Sequence, residues 1–247
     1  MSAVVELAEC ELGYGRSTVY SELNLELHAG RTALLGPNGA GKSTLLAALA
    51  GSLKPKRGRI ALGTGPAPWG SSRRHYLASV AWVPQATRAY PGLKVREQVA
   101  FAGWLKGMSR TDAWDSALGA LRTVGLSDLA DRASTTLSGG QLRRAGIASA
   151  LVHDATLILL DEPTVGLDPL QRDQFLEALE RLPDTVSVIC STHLLTEITD
   201  TYDELVVVDR GQVRTQRSIS AVFSDPAGGD AATALRREYE KWVEREQ

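Results

Sequence analysis

Apolar positions follow different rhythms along the chain. Over roughly the first sixty residues they alternate with polar ones in short runs, the period-2 pattern of strands with one buried face. Two later segments are continuously apolar: Leu157-Ile158-Leu159-Leu160, and residues 186–190. Both predict strands buried on both faces, the habit of a parallel sheet. Residues 60–62 and 80–83 predict shorter strands, the second ending at Pro84, with a loop over 66–72. From about residue 95 to 124 the texture turns helical. Leu105, Trp114, Leu118 and Leu121 recur at helical spacings and predict a mostly helical insert. Residues 205–208, the turn Asp209-Arg210-Gly211 and residues 212–213 predict a hairpin. Residues 232–246 predict a charged helix with Leu235, Tyr239 and Trp242 on one face. Strands alternating with helices indicate an α/β fold with a largely parallel sheet.

The strand expected at residues 31–35 runs into Gly36-Pro37-Asn38-Gly39-Ala40-Gly41-Lys42-Ser43, followed by Thr44. This fits the pattern G-x-x-x-x-G-K-[ST] in full. Its glycines permit backbone angles that aim successive N–H groups at one anion. The helix expected over 42–50 adds its positive end. Lys42 supplies a point charge to β- and γ-phosphates, and Ser43 a hydroxyl to Mg²⁺. The loop therefore predicts Mg-ATP binding.

Asp161 and Glu162 follow the apolar run at 157–160, and Asp161 lies 119 residues after Lys42. A carboxylate at the end of a buried strand can reach Mg²⁺, and its neighbour can polarise a water as general base. Alone, the pair would read as two solvated acids. Leu137-Ser138-Gly139-Gly140-Gln141 has a local explanation, a capping box with Ser138 as N-cap and Gln141 at N3. Two adjacent glycines in a first helical turn nevertheless cost stability. What they offer is bare N–H groups to a second anion.

Composition narrows the partners. Lys and Arg number 27 against 29 acids, so the net charge of −2 argues against a nucleic-acid partner. Cys10 and Cys190 stand in no metal-ligand spacing and predict buried thiols. No run approaches the ~18–20 apolar residues of a membrane span, and residues 1–6 lack the pattern of a signal peptide. Docking at a membrane would then need another polypeptide.

In motif order the chain resembles the ATP-binding subunit of an ATP-binding cassette (ABC) transporter. The Walker A loop is Gly36 to Ser43, the signature Leu137 to Gln141, and the Walker B run Leu157 to Glu162. The resemblance covers about residues 4–212. It implies a P-loop NTPase core with a mostly parallel sheet, an N-terminal antiparallel β subdomain and an inserted α-helical subdomain. The expected ATPase domain is 1–222, with the insert at about 88–136 and a helical tail at 223–247.

The resemblance also assigns roles. Tyr14, 28 residues before Lys42, would stack on adenine. Gln85 would reach Mg²⁺ and the attacking water, His193 would contact the γ-phosphate, and Asp168 would lie in the loop crossing a dimer interface. Lys42, Gln85, Glu162 and His193 are the expected catalytic residues. Ser43, Gln85 and Asp161 are the expected Mg²⁺ ligands. Asp168 also has a local role, as N-cap before Pro169 at N1 and Gln171 at N3. Val165 departs from the Ser or Ala of many relatives, at a peripheral position. Each ATP would lie between the Walker A loop of one subunit and Ser138–Gln141 of a second, homologous or identical. A membrane-spanning permease would hold the pair at the cytoplasmic face, with Tyr90, Leu93, Phe101 and Trp104 as candidate contacts.

Rival readings differ in testable ways. A chromosome-organising relative would place a long coiled coil between the Walker motifs, and 119 residues leave no room for one. A translation-associated relative would carry two cassettes. A soluble ABC ATPase of an assembly or regulatory complex stays open. The segment Tyr90 to Glu97 is similar to that of bacterial export ATPases, and the expected hairpin ends about 35 residues before the terminus, so export is favoured over import.

Overall fold

The computed structural model describes residues 3–63, 65–198, 201–223 and 239–240. In chain order the elements are β1 (Ala3–Leu12), β2 (Tyr20–His28), β3 (Arg31–Leu35), α1 (Lys42–Leu49), β4 (Arg57–Ala61), α2 (Arg73–Ser79) and β5 (Val80–Val83). Helices α3 (Val95–Leu105), α4 (Arg110–Thr123) and α5 (Gly139–Leu151) follow, then β6 (Leu157–Asp161), α6 (Pro169–Glu180) and β7 (Ser187–Thr192). The last are β8 (Glu204–Asp209), β9 (Gln212–Ser218) and α7 (Ile219–Phe223). The helix expected over 232–246 lies outside the described residues apart from 239 and 240. The chain forms two compact units, residues 1–76 with 187–247, and residues 77–186.

The first unit holds two groups of strands. β1 pairs antiparallel with β2 on one side and β4 on the other. Tyr20, Leu23, Leu25 and Leu27 of β2 are buried while the polar residues between them are exposed, as period-2 patterning requires. In the second group β3 lies between β7 and β8, parallel to both. Residues 33–35 and all of β7 are buried, as expected of central strands. β8 turns into β9 through Arg210 and Gly211, both at positive φ (47° and 72°), the geometry of a tight hairpin turn. β9 runs to Ser218, five residues beyond the two the sequence marked. Thr215, Gln216 and Arg217 carry no apolar signal, but they pair in register with Val207, Val206 and Leu205 of β8, with Arg214 at a register shift.

In the second unit β5 and β6 pair in parallel. Helices α3, α4 and α5 pack together, and of the residues whose spacing predicted them only Leu121 is buried in that packing. Leu105 and Trp114 are exposed, and the buried face of α4 is Ala113, Ala117, Ala120 and Leu121. A β-carbon on Gly103 would meet Ala113 Cβ at 3.2 Å, so close helix approach needs small residues here. Carbonyls at the end of α2 and the start of β5 are collected by side-chain and main-chain donors of this unit. Lys106 Nζ donates to Leu77 and Val80 (both 2.7 Å), His153 Nδ1 bonds Ala78 O at 3.0 Å, and the Thr156 N–H donates to Ser79 O at 2.9 Å. Cations at a helix C-terminus complement its dipole.

Candidate functional site

In the first unit the Gly-rich loop leaves the C-terminal end of β3 and opens α1. Gly39 and Gly41 adopt φ 84° and 109°, values that strain any side-chain-bearing residue. Gly41 is the N-cap of α1, no side chain caps that end, and its first turn holds no acid. The positive end of α1 is thus left to an anion. Lys42 Nζ lies within the loop and donates to Gly36 O (2.7 Å) and Pro37 O (3.1 Å), with only 5% of the residue exposed. Asn38, Gly39 and Ser43 are exposed, Pro37 half-buried, and Gly36, Ala40 and Thr44 buried. The loop is packed from behind: Gly211 N donates to Ala40 O at 3.1 Å, and the Tyr20 ring lies against Gly41.

The same unit brings His193 to this loop. Leu35 of β3 is in register with Thr192 of β7, and Gly36 N donates to Thr192 O at 3.2 Å. The loop and His193 therefore leave adjacent parallel strands at their C-terminal ends, where open α/β sheets bind ligands. Tyr14 stands in the turn after β1 with 57% of its surface exposed, which leaves its ring available for stacking.

The second unit gathers the other expected residues at the C-terminal ends of β5 and β6. Val83 and Leu160 are in register; exposed Gln85 lies two residues past one strand, and Asp161 ends the other, 9% exposed. Glu162 follows with φ 44°. Left-handed backbone costs a non-glycine residue about 1–2 kcal/mol and is held only by its surroundings. Nothing in the sequence signals it.

Ser138 and Gln141 form the expected capping box. Gln141 N donates to Ser138 Oγ at 3.3 Å, and Ser138 N to Gln141 Oε1 at 2.9 Å. The box engages two donors at the start of α5 and leaves aside the N–H groups of Gly139 and Gly140. Gly140 also has a packing reason, since a β-carbon there would sit 3.2 Å from the Gln171 side chain. Asp168 is the N-cap of α6 and accepts from Gln171 N at 2.8 Å. The signature and the Asp168 loop are thus neighbours, joined further by Arg143, which donates to Val165 O. No local sequence pattern marks Arg143.

Among the described residues no three His, Cys, Asp or Glu side chains converge on a metal position. The expected ligands are a hydroxyl (Ser43), an amide oxygen (Gln85) and one carboxylate (Asp161). Such an oxygen-only set suits Mg²⁺ held jointly with substrate phosphates rather than in a protein cage.

Residues 20–165 match the family profile described as ABC transporter. The chain belongs to the ABC transporter family. It is 34% identical over 202 residues to the linearmycin resistance ATP-binding protein LnrL of Bacillus subtilis (strain 168), covering 81% of this chain and 64% of that protein. It is 33% identical over 215 residues to the molybdenum import ATP-binding protein ModC of Brucella suis biovar 1 (strain 1330), covering 85% and 59%. The chain thus spans about three fifths of the length of these relatives. Its fold is similar to the solved structure of cbiO1 from Clostridium perfringens, part of the ABC transporter complex cbiONQ. The TM-score is 0.82 at 25% identity, over 99% of this chain and 97% of that one.

Proposed function

We propose that this cassette binds Mg-ATP, hydrolyses it as one half of a head-to-tail pair, and powers transport through a separate membrane-spanning permease. The observation that carries the reading is the bond between Gly36 N and Thr192 O. It sets an uncapped helix N-terminus with a buried lysine beside the turn bearing His193. One end takes the phosphates and the other reports the γ-phosphate.

Lys42, Ser43 and the loop amides bind the triphosphate, and Tyr14 stacks on the base. Glu162 orients the attacking water and accepts its proton. Mg²⁺, when bound, neutralises phosphate charge; Ser43, Gln85 and Asp161 offer its protein ligands. Ser138, Gly139, Gly140 and Gln141 serve the nucleotide of the second cassette, with Asp168 at that interface. Phosphoryl transfer is mostly positioning and charge stabilisation, so closure of the pair completes the site. Loss of the γ-phosphate reopens it, a ligand-driven population shift. In this reading residues 1–222 are the ATPase domain, with the insert at about 88–136 and a tail at 223–247.

A partner-facing surface supports transport over a free-standing ATPase. Tyr90 (46% exposed) meets Phe101 (36%) edge-on at a centroid distance of 6.0 Å, and Phe101 lies tilted against Trp104 (44%) at 5.7 Å. Exposed clustered aromatics mark interaction surfaces. No helix among the described residues is long and apolar enough to cross a membrane, so attachment at the cytoplasmic face would come from that partner. The Tyr90–Glu97 segment favours export, although ModC, by its name, serves import.

The deciding experiment is steady-state ATP hydrolysis of the wild type and of Glu162→Gln with the co-purified permease. Hydrolysis by the wild type and its loss in the variant are expected. Equal inertness of both would sink the enzyme reading.

A further inference from the structure

Glu197 has no place in the chemistry proposed above, yet it is a carboxylate-bearing residue only 4% exposed. A buried acid is costly unless it is hydrogen-bonded. Its partner is the hydroxyl of Thr192, which donates to Glu197 Oε2. The same hydroxyl accepts from Leu194 N at 3.0 Å. Thr192 is itself 2% exposed, and its carbonyl accepts from Gly36 N at the mouth of the Gly-rich loop. The residues on both sides of His193 are thus tied to one hydroxyl, and that hydroxyl is oriented by Glu197. Because the Thr192 proton goes to the carboxylate, its lone pairs face the Leu194 amide.

We infer that Glu197 is a positioning residue: through the Thr192 hydroxyl it fixes the backbone on either side of His193 and so sets where the imidazole meets the γ-phosphate. The inference rests on the role given to His193 above. It makes a specific demand on kinetics. Ground-state binding of Mg-ATP depends on the Gly-rich loop and Lys42; Thr192 meets that loop through its main-chain carbonyl, which the side-chain substitutions below leave in place. Misplacing His193 should therefore lower kcat and leave KM nearly unchanged.

The test is ATP hydrolysis by the full chain and its variants, with thermal melting to confirm folding. Thr192→Val is nearly isosteric and removes the bridge; kcat should fall at least about tenfold at constant KM. Glu197→Leu should fall likewise, and the double variant should be no slower than either single one, because both break one chain of bonds. Glu197→Gln keeps an acceptor for Thr192 and should retain most of the rate. Wild-type kcat in Thr192→Val, or multiplying losses in the double variant, overturns the inference while leaving the site intact, provided that His193→Ala is slow. Full activity of His193→Ala would sink both the inference and the role of His193. Where Glu197→Leu does not fold, Thr192→Val decides alone.

Discussion

The ring of Tyr20 lies against the α-carbon of Gly41: a β-carbon at Gly41 would sit 2.8 Å from both Cε2 and Oη of Tyr20. Tyr20 is fully buried, and its hydroxyl has no hydrogen-bond partner among the described residues. Burial accordingly pushes the phenol pKa well up. Two opposite outcomes follow. Gly41→Ala meets both the ring and a φ of 109°, so it should cost about 2 kcal/mol or more and weaken ATP binding. Tyr20→Phe keeps the packing and removes an unsatisfied hydroxyl, so it should raise stability by about 1 kcal/mol. Urea unfolding of both variants checks the pair; a destabilised Tyr20→Phe would mean that the hydroxyl has a partner.

Glu162 combines strain with chemistry. At φ 44° a glycine relieves about 1 kcal/mol of backbone strain, roughly offset by the extra freedom that glycine gives the unfolded chain. Glu162→Gly should therefore unfold no earlier than the wild type, yet hydrolyse ATP on the order of 10²-fold or more slowly. Glu162→Gln should lose the same rate with wild-type nucleotide affinity. Calorimetry and single-turnover hydrolysis decide between this and a structural role, which predicts that Glu162→Gly melts early.

His153 should make stability depend on mild acidity. Its pKa is lowered from 6.5 chiefly by burial, then by the charge of Lys106, while its bond to Ala78 O works the other way. As pH falls below 6.5 the unfolded chain takes up the proton first. Stability is then lost as pH descends toward the folded-state pKa, and is fully present above 6.5. His153→Gln retains a donor for Ala78 O without the titration. Urea midpoints between pH 8 and 5.5 should fall more steeply for the wild type; parallel curves would exclude the His153 contribution.

The Gly36–Ser43 loop, the Ser138–Gln141 box and the Asp168 cap were legible in the sequence because each is a local pattern whose chemistry lies within a few residues. The packing of the helical insert was not. Trp114 and Leu105 dominate its apolar signal, yet Trp114 lies outside, under the Arg96 guanidinium at 4.0 Å. Three of the four buried residues of α4 are alanines, whose small size permits the approach and weakens the signal. Helix α2 escaped because Tyr76 is its one buried residue. The left-handed Glu162 and the buried Glu197 depend on neighbours distant in sequence, and no local rule places them.

Ser138 has two separable roles. As an N-cap it accepts from Gln141 N, and its loss in Ser138→Ala should cost about 1 kcal/mol. Aspartate caps as well as serine and also suits the helix dipole, so Ser138→Asp should keep that stability. Its carboxylate, however, stands where the second cassette's phosphate is proposed to bind. Like charges there oppose closure of the pair, so hydrolysis should fall far more than in Ser138→Ala, while ATP binding to the isolated chain stays unchanged. Ser138→Asp that hydrolyses ATP at the wild-type rate would reduce Ser138 to a helix cap and remove the second anion site from the mechanism.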